Sequence, residues 1–169
     1  MSITAWALES ATNPAVLRLH VTDELTEHTI LTCPPGRAPV PLDALLHIAG
    51  IRSLDIHRHR VRVNLAVDAD REGVAEAVSA SLREVWGEEA PLPVEELPRA
   101  FVVGHEGERA VAESREMAAD DGVLQAAFAV PGVVEAIAGD GMVFVRLGRL
   151  FVWQDVEDAV RDSLDAAEP

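Results

Sequence analysis

The feature that most constrains this chain is an internal repeat. Shifted by 82 residues, Leu42–Leu82 falls on Leu124–Leu164 without a gap, and eleven of the 41 positions are identical. The identities include Gly50/Gly132, Val61/Val143, Val63/Val145, Leu65/Leu147 and Val78/Val160. A chain rich in Ala and Val gives some matches by chance, so the weight lies on the periodicities, which agree as well. A repeat of this length implies one small supersecondary unit used twice.

Each copy predicts the same order of elements. Leu42, Leu45, Leu46 and Ala49 are spaced for one face of a short helix, as are Leu124, Ala127 and Phe128. Gly50 and Gly132 stand where a glycine ends a helix. Two alternating runs follow: Leu54 and Ile56, then Val61, Val63, Leu65 and Val67, the period of half-buried strands. Gly139-Asp140-Gly141 is a strong hairpin turn, whereas the first copy has His57-Arg58-His59 at that tip, read as a solvated turn. Val74, Val78 and Leu82 close the first copy in a helix that Asp70 is placed to cap, and Val156, Val160 and Leu164 close the second. Upstream, Val16–Thr22 and Arg99–Gly104 read as strands, with Thr29–Thr32 and Glu108–Ala112 as weaker ones.

Between the copies, Gly87–Pro98 holds three prolines and four glutamates, the composition of a semi-rigid exposed linker. The expected organisation is therefore a module over 1–86, a linker over 87–98 and a second module over 99–169. The expected fold class is α+β: two tandem two-layer modules, each a small antiparallel sheet with two helices on one face.

Charge and composition narrow the function classes. The formal charge of −15 disfavours binding to nucleic acid or to an anionic membrane. No apolar run approaches the roughly 20 residues of a membrane span, and no basic-then-apolar leader opens the sequence, so a cytoplasmic location is expected. The single Cys33 excludes an intramolecular disulfide and any multi-cysteine site within one chain.

The residues now described resemble the N-terminal domain of the Nfu/NifU-type iron–sulfur scaffold proteins. That domain opens on a Thr-Pro-Asn-Pro-Asn-like segment leading into a strand, and here Thr12-Asn13-Pro14 precedes Val16. The second copy is the nearer one: Val130-Pro131-Gly132-Val133, then Gly139-Asp140-Gly141 with Phe144, then Trp153 opening the last helix. The first copy matches chiefly through Ile48-Ala49-Gly50-Ile51. The family's cluster-carrying Cys-x-x-Cys pair belongs to a separate C-terminal domain, and this sequence holds no such pair. The resemblance thus implies a duplicated accessory module of an iron–sulfur system, with no resident cofactor, and does not carry cluster scaffolding over.

Catalytic constellations are not evident. Ser53, Ser81 and Ser163 lie outside any nucleophile elbow, and no Gly-rich phosphate loop is present. His57-x-His59 is an incomplete ligand pair, and His20, His47 and His105 stand isolated. Cys33, in an expected loop before Pro34-Pro35-Gly36, is the one soft ligand. With His28 or His47 it could join an iron–sulfur cluster shared between two chains. The open faces of the sheets offer more. If Val61, Val63 and Leu65 point inward, Arg60, Arg62 and Asn64 point outward with Arg18 and His20, a basic face in an acidic protein. In the second copy Met142, Phe144 and Arg146 point outward, with Ala100, Val102 and Ile137 nearby, a largely apolar face. Exposed apolar patches mark interfaces, so the Met142/Phe144 face is expected to pack on a partner protein, a second chain or the first copy. The expected function is a non-enzymatic protein-interaction or adaptor module accessory to iron–sulfur cluster assembly or delivery. Its partners would be iron–sulfur assembly or client proteins, or a second copy in a homodimer. The alternative is an iron or iron–sulfur carrier that uses Cys33.

Overall fold

The computed structural model describes residues 3–105 and 107–167. Among them are nine strands and five helices, an α+β chain with two antiparallel sheets. The chain divides into two compact units, 1–91 and 92–169. The division falls inside the segment read as a linker.

The first unit holds β1 (Trp6–Ser10), β2 (Val16–Val21), β3 (Ile30–Cys33), α1 (Leu42–Leu45), β4 (Ile51–Ile56), β5 (Arg60–Leu65) and α2 (Arg71–Trp86). Its sheet runs β1-β2-β5-β4-β3, antiparallel throughout. Alternation does what the pattern predicts: Leu17 pairs with Val63 and Leu19 with Val61, and all four are buried together with Leu54, Ile56 and the α2 stripe Val74, Val78, Leu82. Burial of that stripe, rather than intrinsic propensity, fixes α2 on the sheet.

The second unit holds β6 (Arg99–Val102), β7 (Ala110–Ala112), α3 (Arg115–Ala118), α4 (Gly122–Phe128), β8 (Val133–Gly139), β9 (Met142–Leu147) and α5 (Trp153–Ala167). Its sheet runs β6-β9-β8-β7. Val143, Val145, Ala136 and Ala138 are buried with Phe101, Phe128, Trp153, Val160 and Leu164.

Residues 82 apart make the same backbone contacts. Ala66 N–H donates to the Gly50 carbonyl (2.8 Å), as Gly148 N–H does to Gly132 (2.7 Å). Ile51 pairs with Leu65 and Val133 with Leu147, and each hairpin then slips register at the same place, before Ser53 and before Glu135. Gly50 and Gly132 both take positive φ, +94° and +97°. A Cβ on Gly132 would stand 2.5 Å from the Phe151 ring, and one on Gly50 2.9 Å from Val74. Glycine is therefore required twice over, by backbone conformation and by close approach.

The units also differ. The first sheet has a fifth strand, β1, and the second unit has three helices rather than the expected two, α3 being a single turn capped by Ser114. The segment read as an exposed linker is docked on both sides. Ala90 N–H donates to the Trp6 carbonyl (2.8 Å), and Trp6 Nε1 donates to Gly87 (3.0 Å). Further on, Arg149 donates to the Pro93 carbonyl, Trp153 N–H to the Glu96 carboxylate, and Trp153 Nε1 to Leu97 (3.0 Å). Proline and glutamate gave a solvated composition, but the two indoles need acceptors and find them there.

Three local expectations are corrected. Asp70 sits at the α2 N-cap position but its side chain makes no capping bond. Cys33 ends strand β3 rather than lying in a loop. The His57-Arg58-His59 tip is not a solvated turn: Arg58 and His59 are buried. The Arg58 carbonyl accepts from Leu25 N–H (2.7 Å), in the loop after β2, and the His59 carbonyl from Val21 N–H (3.0 Å), at the end of β2, so β2 and its following loop close over the tip. The second hairpin turns on Asp140 and Gly141, both at positive φ, as a two-residue turn between paired Gly139 and Met142 requires. Among the described residues, no helix is long and apolar enough to cross a membrane.

Candidate functional site

Cross-strand register assembles the open face of the second sheet. Ala100 pairs with Phe144, Phe144 with Ile137, and Ile137 with Val111, so one apolar row crosses all four strands. Val102 and Met142 pair beside it. Their odd-numbered neighbours on β6 and β9, Phe101, Val143 and Val145, are buried, so pleating turns this row away from the core. Val102 is 84% exposed, Phe144 48% and Val111 42%. Arg146, paired in register with Glu135 and 3.5 Å from its carboxylate, closes one end with charge. Met142 and Phe144 thus lie where alternation put them. Val111 was missed, because three residues of β7 carry too little pattern to reveal a face.

The open face of the first sheet is less basic than expected. Arg60 and Arg62 are exposed and lie on the face opposite Val61 and Val63. Arg18 pairs with Arg62, but Glu9 pairs with Arg18 and Asp55 with Arg62, so carboxylates alternate with the guanidinium groups. His20, expected among the exposed residues, is buried and hydrogen-bonds Glu9 at 2.8 Å. The sequence could not show this mixing, since the partner strands and their registers are not written in β5 itself.

A second polar cluster was not foreseen. Arg58 Nη2 reaches Glu24 Oε2 at 3.2 Å, and His59 Nδ1 lies 3.1 Å from the Asp23 carbonyl. Burial, reinforced by the Arg58 charge, pushes the His59 pKa down to about 4, so the ring is neutral and Nδ1 donates. The absence of a glycine at this tip was the available signal: without one the turn takes another form, whose carbonyls bond the loop after β2. His57 is also held below its usual range, by burial and then by Arg60.

His105 is not isolated either. It lies 2.9 Å from Asp121, whose other oxygen caps α4 by accepting from Val123 and Leu124 N–H, both at 3.0 Å. Burial opposes ionisation of Asp121, but these N–H groups and His105 outweigh it and hold the carboxyl below its usual range.

Cys33 is 1% exposed, and burial followed by the Asp43 charge raises its thiol pKa. Among the described residues, no three of His, Cys, Asp and Glu stand together as a metal-ion ligand set. Both effects disfavour the thiolate, the form of cysteine that attacks or ligates. Cys33 belongs to the same sheet as Arg60 and Arg62. Arg60 and Arg62 lie on one sheet, and Met142 and Phe144 on the other.

The chain was compared with protein-family models, curated proteins and solved structures, and none matches.

Proposed function

We propose that this chain is a non-enzymatic protein-interaction module whose principal contact surface is the open face of the second sheet. The observation that carries the reading is the row Val111–Ile137–Phe144–Ala100 with Val102 and Met142, an apolar patch on an otherwise strongly acidic protein. Water is displaced from such a patch at a gain of about 25 cal/mol per Å² covered. An aromatic side chain at its centre is the type that dominates binding energy. The exposed Arg60 and Arg62 of the first sheet would meet carboxylates of a partner, though Glu9 and Asp55 weaken that field.

The finer reading of the architecture is that the two units are copies of one two-layer module, each with two principal helices on one face of its sheet. The shared hydrogen bonds, bulges and positive-φ glycines at 82-residue spacing support it. On this reading β1 and α3 are additions to a common plan. The resemblance to the Nfu/NifU N-terminal domain supports an accessory role in iron–sulfur cluster assembly or delivery. The alternative of a carrier using Cys33 is less well supported, because that thiol is buried and its pKa raised.

The test is anaerobic capture of partners from the source cell, with the wild-type chain and with Met142→Asp/Phe144→Asp. Recovery of cysteine desulfurase, scaffold or iron–sulfur client proteins by the wild type alone would support the accessory role. Recovery of the same proteins by both chains would sink the proposed surface.

A further inference from the structure

The two sheets differ at one edge, and the difference points to how a partner binds. In the first sheet β1 covers the outer edge of β2 in the register Trp6↔Val21, Ala7↔His20, Leu8↔Leu19 and Glu9↔Arg18. The strand 82 residues beyond β2 is β6, and it is an edge strand: among the described residues, nothing pairs with its outer side. The segment that follows α2, where a strand equivalent to β1 would be drawn, is used elsewhere. Ala90 and Glu89 bond Trp6 and Leu8 and close the outside of β1 instead.

The orientation of the β6 edge follows from its ladder. Val103 N–H donates to the Gly141 carbonyl (2.8 Å), as Val21 N–H does to His59 (3.0 Å) in the first sheet. Backbone groups alternate direction along an antiparallel strand, so those of Arg99, Phe101 and Val103 face β9, and those of Ala100 and Val102 face outward. In the first sheet the same geometry sends Thr22 N–H, just after β2, to the Ala5 carbonyl (3.1 Å), just before β1. The outward pair Ala100 and Val102 therefore offers two N–H and two C=O groups, and both side chains belong to the exposed apolar face.

We infer that β6 takes an extended segment of a partner protein as an antiparallel fifth strand, in the place that β1 holds on β2. The inference rests on the protein-binding reading above and gives the partner a form. Side chains of the added strand alternate between two environments. Those beside Ala100 and Val102 extend the apolar row and are Val or Ile. Those beside Phe101 face α5. There the α2 residues that line the groove along β1, Glu76 and Arg83, are replaced at equivalent positions by Asp158 and Asp165, both exposed. Ala75 and Ser79 correspond to Glu157 and Arg161; Glu157 is paired with both Arg99 and Arg161, the latter at 2.7 Å and over the Phe101 ring, so the carboxylates of Asp158 and Asp165 remain as the exposed acids. Carboxylates still outnumber guanidinium groups on this side, Glu157, Asp158 and Asp165 against Arg99 and Arg161, in a chain of charge −15, so it favours Lys or Arg. The partner segment is thus an extended strand in which Val or Ile alternates with Lys or Arg, bound by strand addition.

The experiment uses the full chain and a capped seven-residue peptide, Val-Lys-Val-Lys-Val-Lys-Val, followed by amide NMR and hydrogen exchange. The expected result is slowed exchange at the Ala100 and Val102 amides, with the Phe101 and Val103 amides, already bonded to β9, little changed. Val102→Pro, which removes an outward N–H and leaves the β9 ladder intact, is expected to weaken binding at least tenfold. A peptide with Glu in place of Lys is expected to bind at least tenfold more weakly. Unchanged exchange at Ala100 and Val102 in the wild-type chain overturns the inference, and this arm does not depend on any variant folding. Shifts at Val111, Ile137 and Phe144 without protection of those two amides also overturn strand addition, while leaving the protein-binding surface standing. Partner retention insensitive to Phe144→Asp would instead overturn the surface itself.

Discussion

Acidification from pH 7.5 to pH 5 is predicted to destabilise the first unit, with His59 carrying a separable share of the loss beside His57. His59 is 2% exposed, under the loop after β2, with Arg58 adjacent and its Nδ1 held by the Asp23 carbonyl. Its folded pKa is lowered to about 4, against about 6.5 in an unfolded chain. Between those values the unfolded state binds the proton and the folded state does not, so stability is fully present above about pH 6.5 and falls as pH falls. A gap of about 2.5 pH units corresponds to about 3 kcal/mol, of which about 2 kcal/mol is lost by pH 5. This is a large fraction of the stability of a small domain. Urea titrations at several pH values, followed by NMR signals of the first unit, measure the slope. His59→Gln is expected to remove that part of the pH dependence, and its difference from wild type cancels the titration of every other group. Equal slopes for the two chains, or a His59 titration midpoint near 6.5 in the folded protein, would refute the reasoning.

Other expectations follow from the same geometry. Gly132→Ala meets both a positive φ and the Phe151 ring at 2.5 Å, and is expected to cost more than about 2 kcal/mol. Gly36→Ala, with positive φ but open space, is expected to cost only about 1 kcal/mol, both by chemical denaturation. Asp121→Ala removes the acceptor of two α4 N–H groups and the partner of His105, for about 1–2 kcal/mol. Asp70→Ala, whose side chain caps nothing, should stay within about 0.5 kcal/mol. Cys33 is expected to react with a thiol reagent only on unfolding, and anaerobic reconstitution is expected to leave no cluster that Cys33→Ala abolishes. Rapid labelling of the native chain, or a stoichiometric cluster lost in that variant, would favour the carrier.

The repeat and the alternation of Val61, Val63, Val143 and Val145 were legible because period and identity are local properties of the sequence. So were the outward positions of Phe144 and Met142, and the Asp140-Gly141 turn. What lay across strands was not. Glu9 and Asp55 dilute the Arg18/Arg62 face through registers that neither strand encodes alone. Arg58 and His59 look solvated by composition and are buried where the end of β2 and the loop after it, more than thirty residues away, bond their carbonyls. No element was read from the sequence at Trp6, yet it opens a fifth strand, and its indole donates to the Gly87 carbonyl. The acidic, proline-containing stretch 87–98 showed the same limit, since its solvated composition concealed acceptors that the Trp6 and Trp153 indoles required.

The Phe144 face is the surface proposed to meet a partner protein. The most direct measurement compares partner retention by three chains: wild type, Phe144→Asp, and Val67→Asp, which places the same charge at a residue 96% exposed elsewhere. Proteins held by the wild type are expected to be held equally by Val67→Asp and at least tenfold less by Phe144→Asp, the loss of a central aromatic contact being worth about 2 kcal/mol or more. Equal retention by all three chains, with Phe144→Asp folded, would contradict it.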